Sequence, residues 1–217
     1  MAPLEKRLAK LWDWCQPYPV VADIGAGQGR LARALANEGH RVFATEKTVK
    51  GWHELRQYTR NFDGIVPLLG DGLEPILDSD VVVDVAVVAG MGPKVIERIL
   101  QQDASSHRVR AFMVQPMQGL FVLRRYLKTA AWFVRRADLV HERGRLYGMW
   151  WVVRNCDENS SPFSEWIPTE FLGSPWWPEL IRQRIHDLDQ KLRYQDARNE
   201  LADEWQQERH SLLGMLR

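Results

Sequence analysis

Val20-Val21-Ala22-Asp23-Ile24-Gly25-Ala26-Gly27-Gln28-Gly29-Arg30 is the stretch that decides the fold. Residues 20–24 are an apolar, β-branched run, the pattern of a buried strand. Three glycines then alternate with other residues. An amphipathic stretch follows from Arg30 to Glu38, with Gly39 as its stop. A strand that turns through glycines into a helix opens a doubly wound sheet. Gly25, Gly27 and Gly29 let the backbone turn tightly and leave a ligand room to approach. A dinucleotide fingerprint would need glycine at the sixth position counted from Gly25. Arg30 stands there, which speaks against a nicotinamide-dependent dehydrogenase.

Outward from this loop, apolar runs alternate with amphipathic ones. Val42–Thr45, Ile65–Leu69, Val81–Ala89 and Arg110–Gln115 are predicted strands, and Lys50–Arg60, Val95–Leu100 and Gly119–Ala131 predicted helices. A short amphipathic helix over residues 4–15 precedes them, with Leu4, Leu8, Leu11 and Trp12 on one face. Trp132–His141 and Leu146–Arg154 are separated only by ERGR, which predicts an antiparallel hairpin with Gly144 in the turn. The expectation is an α/β Rossmann-like sheet, mostly parallel, with an antiparallel C-terminal hairpin, over residues 1–155. Residues 156–175 are rich in Ser, Pro and acid and are expected to be a linker or a covering loop. Residues 176–217 are expected to form a helical, coiled-coil-like appendage. Ile181, Ile185, Leu188 and Leu192 make one seam; Ala197, Leu201, Trp205 and Leu212 make an offset stripe. One unbroken helix would run to roughly 57 Å. Two antiparallel helices turning near Asp196–Asn199 would bury both stripes and are preferred.

With 45% hydrophobic and 26% charged residues in 217, the chain is a globular protein rather than a disordered one. The net charge of +1 excludes a wholly basic nucleic-acid binder, but the charge is unevenly spread. Residues 1–60 carry +4, 61–93 carry −6, 94–154 carry +8 and 155–217 carry −5. Cys15 and Cys156 have no metal-like spacing, and a reducing cytosol is the simplest setting for them. The N-terminus lacks the apolar core of a signal peptide, and no apolar run approaches the ~18–20 residues of a membrane span. A cytoplasmic protein without membrane or metal is expected. Of ten tryptophans, Trp12, Trp132 and Trp150 are the clearest core candidates.

Candidate chemistry sits where strands end. Asp23 stands two residues before Gly25, giving a D-x-G-x-G-x-G pattern typical of proteins similar to S-adenosyl-L-methionine methyltransferases. There the acid can accept a hydrogen bond from the cofactor's ammonium. Glu46 closes the second strand and suits the two hydroxyls of a ribose; taken alone it is also an ordinary helix-start acid. Asp71, in Gly70-Asp71-Gly72-Leu73, can meet an adenine amino group with its carboxylate or adjacent backbone; taken alone it is a turn aspartate. Three acids at the ends of successive strands are more specific than any one of them. The fourth strand ends in Ala89-Gly90-Met91-Gly92-Pro93 and the fifth in Gln115-Pro116. Gly90 and Gly92 would let a base approach a methyl donor.

The chain resembles the bacterial tRNA adenine-N1 methyltransferases that modify the D-arm adenosine at position twenty-two. VADIGAGQGRLA, Glu46, GDGLEPI from Gly70, VAGMG from Val88, VQP from Val114, LRRYL from Leu123 and ERGRLY from Glu142 carry the resemblance. Members of this family end in a two-helix appendage. Pro93 and Met117 depart from it, standing where the family usually has glycine and asparagine. The resemblance implies S-adenosyl-L-methionine as cofactor, held by Asp23, Gly25, Gly27, Gly29, Glu46, Asp71 and Gly72. It implies catalysis at Gly90, Met91, Gly92, Gln115 and Pro116, with the Gly90 backbone and Gln115 expected to hold the base edge and tRNA as substrate. Arg124, Arg125, Lys128, Arg135, Arg136, Arg143 and Arg145 in the +8 segment are candidate RNA contacts, with Lys6, Arg7 and Lys10 adding to them. Methylation of another RNA base or a small molecule, or a non-catalytic relative of these enzymes, are the competing readings. The oligomeric state is left open, and a monomer is compatible with all of this.

Overall fold

The structure, a computed structural model, describes residues 3–193 and 201–216. Helix α1 (Lys6–Cys15) leads into strand β1 (Val20–Ile24), then α2 (Arg30–Asn37) and β2 (Arg41–Glu46). Next come α3 (Val49–Thr59), β3 (Ile65–Leu69), the short α4 (Glu74–Leu77), β4 (Val83–Met91), α5 (Pro93–Gln102), β5 (Val109–Pro116) and α6 (Leu120–Thr129). The chain then runs out and back through β6 (Phe133–Glu142) and β7 (Arg145–Val153). It adds the two-residue β8 (Ser161–Pro162) and ends in α7 (Trp177–Arg193) and α8 (Ala202–Met215).

The eight strands lie in the order β3-β2-β1-β4-β5-β7-β6-β8. The first five are parallel; β7, β6 and β8 join antiparallel. Strand order reverses between β1 and β4, and a crevice opens there beyond the strand ends. Strand alternation feeds two cores. Val21, Val42, Val85 and Val87 pack with Leu11 and Trp14 of α1, Leu31 and Leu35 of α2 and Leu55 of α3. Ala22, Ile24, Ala86 and Val88 face the other way, toward Ile96 and Ile99 of α5 and Leu123 and Leu127 of α6. Trp150 and Trp132 are buried in this second core as expected, whereas Trp12 is only partly covered.

Three differences from the sequence reading have local causes. Strand β4 continues two residues beyond Ala89 because Gly90 adopts φ +78° and a bulge lets Met91 pair with Pro116. Helix α4 is a single turn, too short for a periodic pattern to reveal. The segment from 156 to 175 is the covering one of its two expected forms, and it carries regular structure that its composition does not reveal. Ser161–Pro162 pairs with β6, Thr169–Phe171 forms a 3-10 turn, and Phe163 and Phe171 are buried.

In the tail, Ile181, Ile185 and Leu188 are buried, as are Trp205 and Leu212. Arg184 meets Glu208 and Lys191 lies over Trp205, so α7 and α8 run in opposite directions. The expected turn near Asp196–Asn199, and Ala197, lie outside the described residues. This helix pair shares the second core rather than standing apart from it.

Candidate active site

The glycine loop after β1 turns through three left-handed residues, Gly25, Gly27 and Gly29. At Gly25 a Cβ would come within 2.2 Å of the Met91 methyl, so the loop and the end of β4 touch only because no side chain intervenes. At Gly27 a Cβ would meet nothing within 4 Å, and the backbone is open to a ligand. Asp23 lies beneath this loop and is 7% exposed. Its Oδ2 accepts the Ala32 N–H at 3.2 Å. Burial pushes its carboxyl up to about 7, the Ala32 hydrogen bond pulls it partly back, and the Glu46 charge adds to the rise. Among the described residues no cation pairs with Asp23.

Glu46 ends β2, and its Oε1 accepts the Gly27 N–H at 2.6 Å. Its Oε2 lies against Gly51, where a Cβ would come within 2.8 Å. Of the two roles expected of Asp71, the structure closes the one that needs a free carboxylate. Both of its oxygens are taken by the Arg98 guanidinium, at 2.5 and 3.0 Å, and Oδ2 also by Lys47 at 2.8 Å. These cations hold its carboxyl below the usual range. Its N–H donates to Glu74, and Gln102 braces the Asp71–Leu73 turn, filling the space beside Gly72. Asp71 therefore organises the loop after β3 rather than offering a free carboxylate.

A cleft of about 370 Å³ opens above β1 and β4, lined by Asp23, Gly25, Ala26, Ala89 and Gly90 from the sheet side. Its other wall is α1 and the segment before it: Glu5, Arg7 and Leu8. Sequence reasoning placed Arg7 among the basic surface residues and left Glu5 unassigned. A signal existed, since Arg7 is four residues before Leu11 and seven before Trp14, the buried stripe of α1. On the far side of Gly90, Gln115 is fully enclosed. Its Oε1 accepts from Arg7 at 3.1 Å and its Nε2 donates to the Pro116 carbonyl at 2.6 Å. Met117 N–H donates to the Met91 carbonyl at 2.9 Å, so the ends of β4 and β5 are stitched together. The structure thus brings Asp23, Gly25, Gly27, Glu46, Gly90, Met91, Gln115 and Pro116 to one edge of the sheet.

Residues 4–150 match the family described as a methyltransferase domain. The chain belongs to that family. This methyltransferase domain is also 26% identical over 127 residues to a Mycoplasma pneumoniae protein named "Putative tRNA methyltransferase". That match covers 58% of this chain and spans only 59% of the relative's length. Among solved structures, M. capricolum TrmK with S-adenosyl-homocysteine superposes at TM-score 0.79 with 18% identity, covering 98% of this chain and 97% of that one. The B. subtilis m1A22 tRNA methyltransferase TrmK superposes at 0.73 with 20% identity, over 100% and 97%. At these identities the two structures establish the fold, including the C-terminal helices.

The basic residues of this methyltransferase domain do not form one face. Arg124 is a correction to the sequence reading: it is 4% exposed and cannot present itself to RNA. Its guanidinium pairs with Glu170 at 2.8 Å and donates to the carbonyls of Ser164 and Ile167. The segment from 156 to 175 covers what the helical pattern of α6 presented as its polar side. Arg125 is exposed beside Glu204, and Lys128 is half-buried against Glu165. Arg135 pairs with Asp157, whose carboxyl it holds low, and Arg136 lies 3.9 Å from Asp13. Arg143 and Arg145 stand at the hairpin tip. Arg143 is 3.9 Å from Glu5, and Arg145 has no ion pair among the described residues. The acids of the tail and linker thus neutralise part of the +8 segment.

Proposed function

We propose that this protein transfers a methyl group from S-adenosyl-L-methionine to N1 of an adenine in tRNA. The observation that carries the reading is Asp23: a buried carboxylate at the floor of an open cleft, beneath a glycine loop, with no cation paired to it among the described residues. Such a group is stabilised in its charged form by a cationic ligand. The ammonium of the cofactor's methionine moiety fits that requirement. The open backbone at Gly27 and the free Oε2 of Glu46 fit the remainder of the molecule. The names of the similar tRNA methyltransferases support the same assignment.

The bound cofactor would supply an electrophilic methyl group on its sulfonium. Asp23 would hold the ammonium, Glu46 the ribose, and the loop braced by Asp71 the adenine side. Gly90 and Gly92 keep side chains out of the space between donor and acceptor. Gln115 and Pro116 form the acceptor wall, with Gln115 acting from within rather than touching the base. The adenine N1 lone pair is itself the nucleophile, so catalysis is mainly alignment and needs no general base.

N1 lies on the Watson–Crick edge, so the target must be unpaired or drawn out of the stack. A groove of about 390 Å³ between α6 and the two tail helices is lined by Lys94, Arg125 and Lys191 with Phe121, Tyr126 and Trp205. Cations beside aromatic rings suit an RNA strand. Through Phe121 and Lys191 it adjoins a second groove that ends at Pro116, Met117 and Gly119, beside the acceptor wall. Arg125, Arg143 and Arg145 are the exposed contacts for the flanking backbone. The protein acts in the cytosol, a setting suited to the free thiols of Cys15 and Cys156. No described helix is long and apolar enough to cross a membrane, and no metal-binding cluster occurs among the described residues. The test is incubation with S-adenosyl-L-methionine and total bacterial tRNA followed by nucleoside mass spectrometry. N1-methyladenosine is expected; a different methylated base, or none, would overturn the proposal.

A further inference from the structure

Arg7 makes three polar contacts that join three separate parts of the chain. Nη2 donates to Glu5 at 2.7 Å, and Nε lies 3.8 Å from Glu142 at the end of β6. Nη1 donates to Gln115 and lies 3.8 Å from where a Cβ on Gly90 would stand. Glu142 is itself held by the Lys6 N–H at 2.6 Å, so α1 is clasped to β6 and β5 at once. The Arg7 side chain is only 16% exposed.

The contact with Gln115 has a directional consequence. A guanidinium only donates, so it must face the amide oxygen. The amide nitrogen is then turned to the Pro116 carbonyl. Pro116 is paired with Met91, Met117 N–H is bonded to the Met91 carbonyl, and the Met91 methyl seats against Gly25. A continuous series of contacts therefore runs from α1, through the end of β5, to the end of β4 and the glycine loop. Gln115 has no exposed surface, so it cannot read a base directly.

We infer that Arg7 is a positioning residue that acts through Gln115 to fix the end of β5 against the end of β4. This inference rests on the methyl-transfer reading, because those two strand ends are the acceptor and donor walls. A lysine could not replace it, having no planar fork to serve Glu5 and Gln115 together.

The test compares Arg7→Met, Arg7→Lys, Gln115→Met and the double variant R7M/Q115M. Steady-state methylation of tRNA, calorimetry with S-adenosyl-L-methionine, and amide hydrogen exchange are measured on each. A misplacement near 1 Å can cost about a hundredfold in rate. Arg7→Met and Gln115→Met should each lower kcat by about that factor, with cofactor affinity changed less than about threefold. The double variant should be no slower than the worse single one, because both act through one contact. Arg7→Lys should recover only part of kcat. Exchange at Met117 should quicken in Arg7→Met while the β1 amides stay unchanged. Additive losses, full rescue by lysine, an unchanged kcat, or a loss confined to cofactor affinity would overturn the inference. Should the wild-type protein make no N1-methyladenosine, the proposed function falls, and exchange at Met117 alone decides this one: faster in Arg7→Met supports it, unchanged overturns it.

Discussion

Glu46 accepts the Gly27 N–H at 2.6 Å, so the acid that ends β2 is bonded to the middle of the loop that ends β1. One carboxylate oxygen shapes the glycine loop, and in the proposed function the other meets the ribose. Both uses vanish in Glu46→Ala. A charge-assisted hydrogen bond contributes about 1.5–3 kcal/mol, so cofactor affinity should fall about tenfold to a hundredfold. Glu46→Gln can still accept from Gly27 and should fall less. Isothermal calorimetry with S-adenosyl-L-methionine measures both, and equal affinity in all three proteins would remove Glu46 from the site.

In the proposed function, Asp23 should make cofactor binding and stability respond to pH in opposite directions. Its folded pKa is about 7, against 3.8 as the ordinary value. Between these values the folded chain keeps a proton that the unfolded chain has released. The stabilisation is thus complete below about pH 4 and is lost as pH rises through 7. Asp23→Asn avoids that loss and should be more stable than wild type at pH 8, by about 1–3 kcal/mol, with the advantage shrinking toward pH 4. A bound ammonium favours the ionised form, so wild-type affinity should weaken about tenfold between pH 7.5 and pH 6. Asp23→Asn should bind poorly at every pH. Denaturant melts and calorimetry across this range read both effects; a pH-independent wild-type affinity would show that Asp23 meets no cation.

Arg124 and Arg125 are neighbours in sequence with opposite roles. Arg124→Ala leaves the Glu170 carboxylate buried without its cation, with only the Trp150 N–H donating to it among the described residues, which costs about 3–5 kcal/mol in comparable pairs. Thermal or denaturant unfolding should register that loss. Arg125→Gln removes an exposed charge whose pairing with Glu204 is a surface one, and should alter stability by less than about 1 kcal/mol. It should instead weaken tRNA binding and flatten the dependence of affinity on salt by about one ion in the log–log slope. An unchanged salt slope would mean that Arg125 touches no phosphate.

The glycine loop, the parallel strands and the hairpin were legible because each is a local pattern: period-two or apolar runs, turn residues, and an acid at a fixed offset. Arg143 and Gly144 both adopt positive φ, as the tight hairpin turn requires. The site's other wall was less legible because it depends on contacts distant in sequence. Arg7 meets Gln115 across 108 positions, and only its place on the Leu11–Trp14 stripe hints that it turns inward. The polar side of α6 was misread at Arg124 for the same reason. Helical periodicity reports which face meets the sheet, not that Glu170 arrives 46 residues later to cover the opposite one. Asp71 follows β3 as the sequence has it, but its neutralisation by Lys47, just after β2, and by Arg98 of α5 depends on contacts distant in sequence.

The tail helices are joined by a buried ion pair, Arg184 to Glu208, with two contacts of 2.7 Å. The Arg184 guanidinium also lies 4.4 Å over the Phe121 ring, so the pair sets α7 and α8 against the first turn of α6. Removing one partner strands the other charge. Arg184→Met should cost about 3–5 kcal/mol, and Glu208→Gln less, because a neutral acceptor for Arg184 remains. The double variant R184M/E208L replaces both charges with apolar groups and should recover most of the wild-type stability, because the desolvation cost of the pair offsets most of its attraction. Denaturant unfolding of the three variants measures this non-additivity. Since α7 and α8 pair within one chain, the midpoints should not depend on protein concentration. A midpoint that rises with concentration would instead place the contact between two copies.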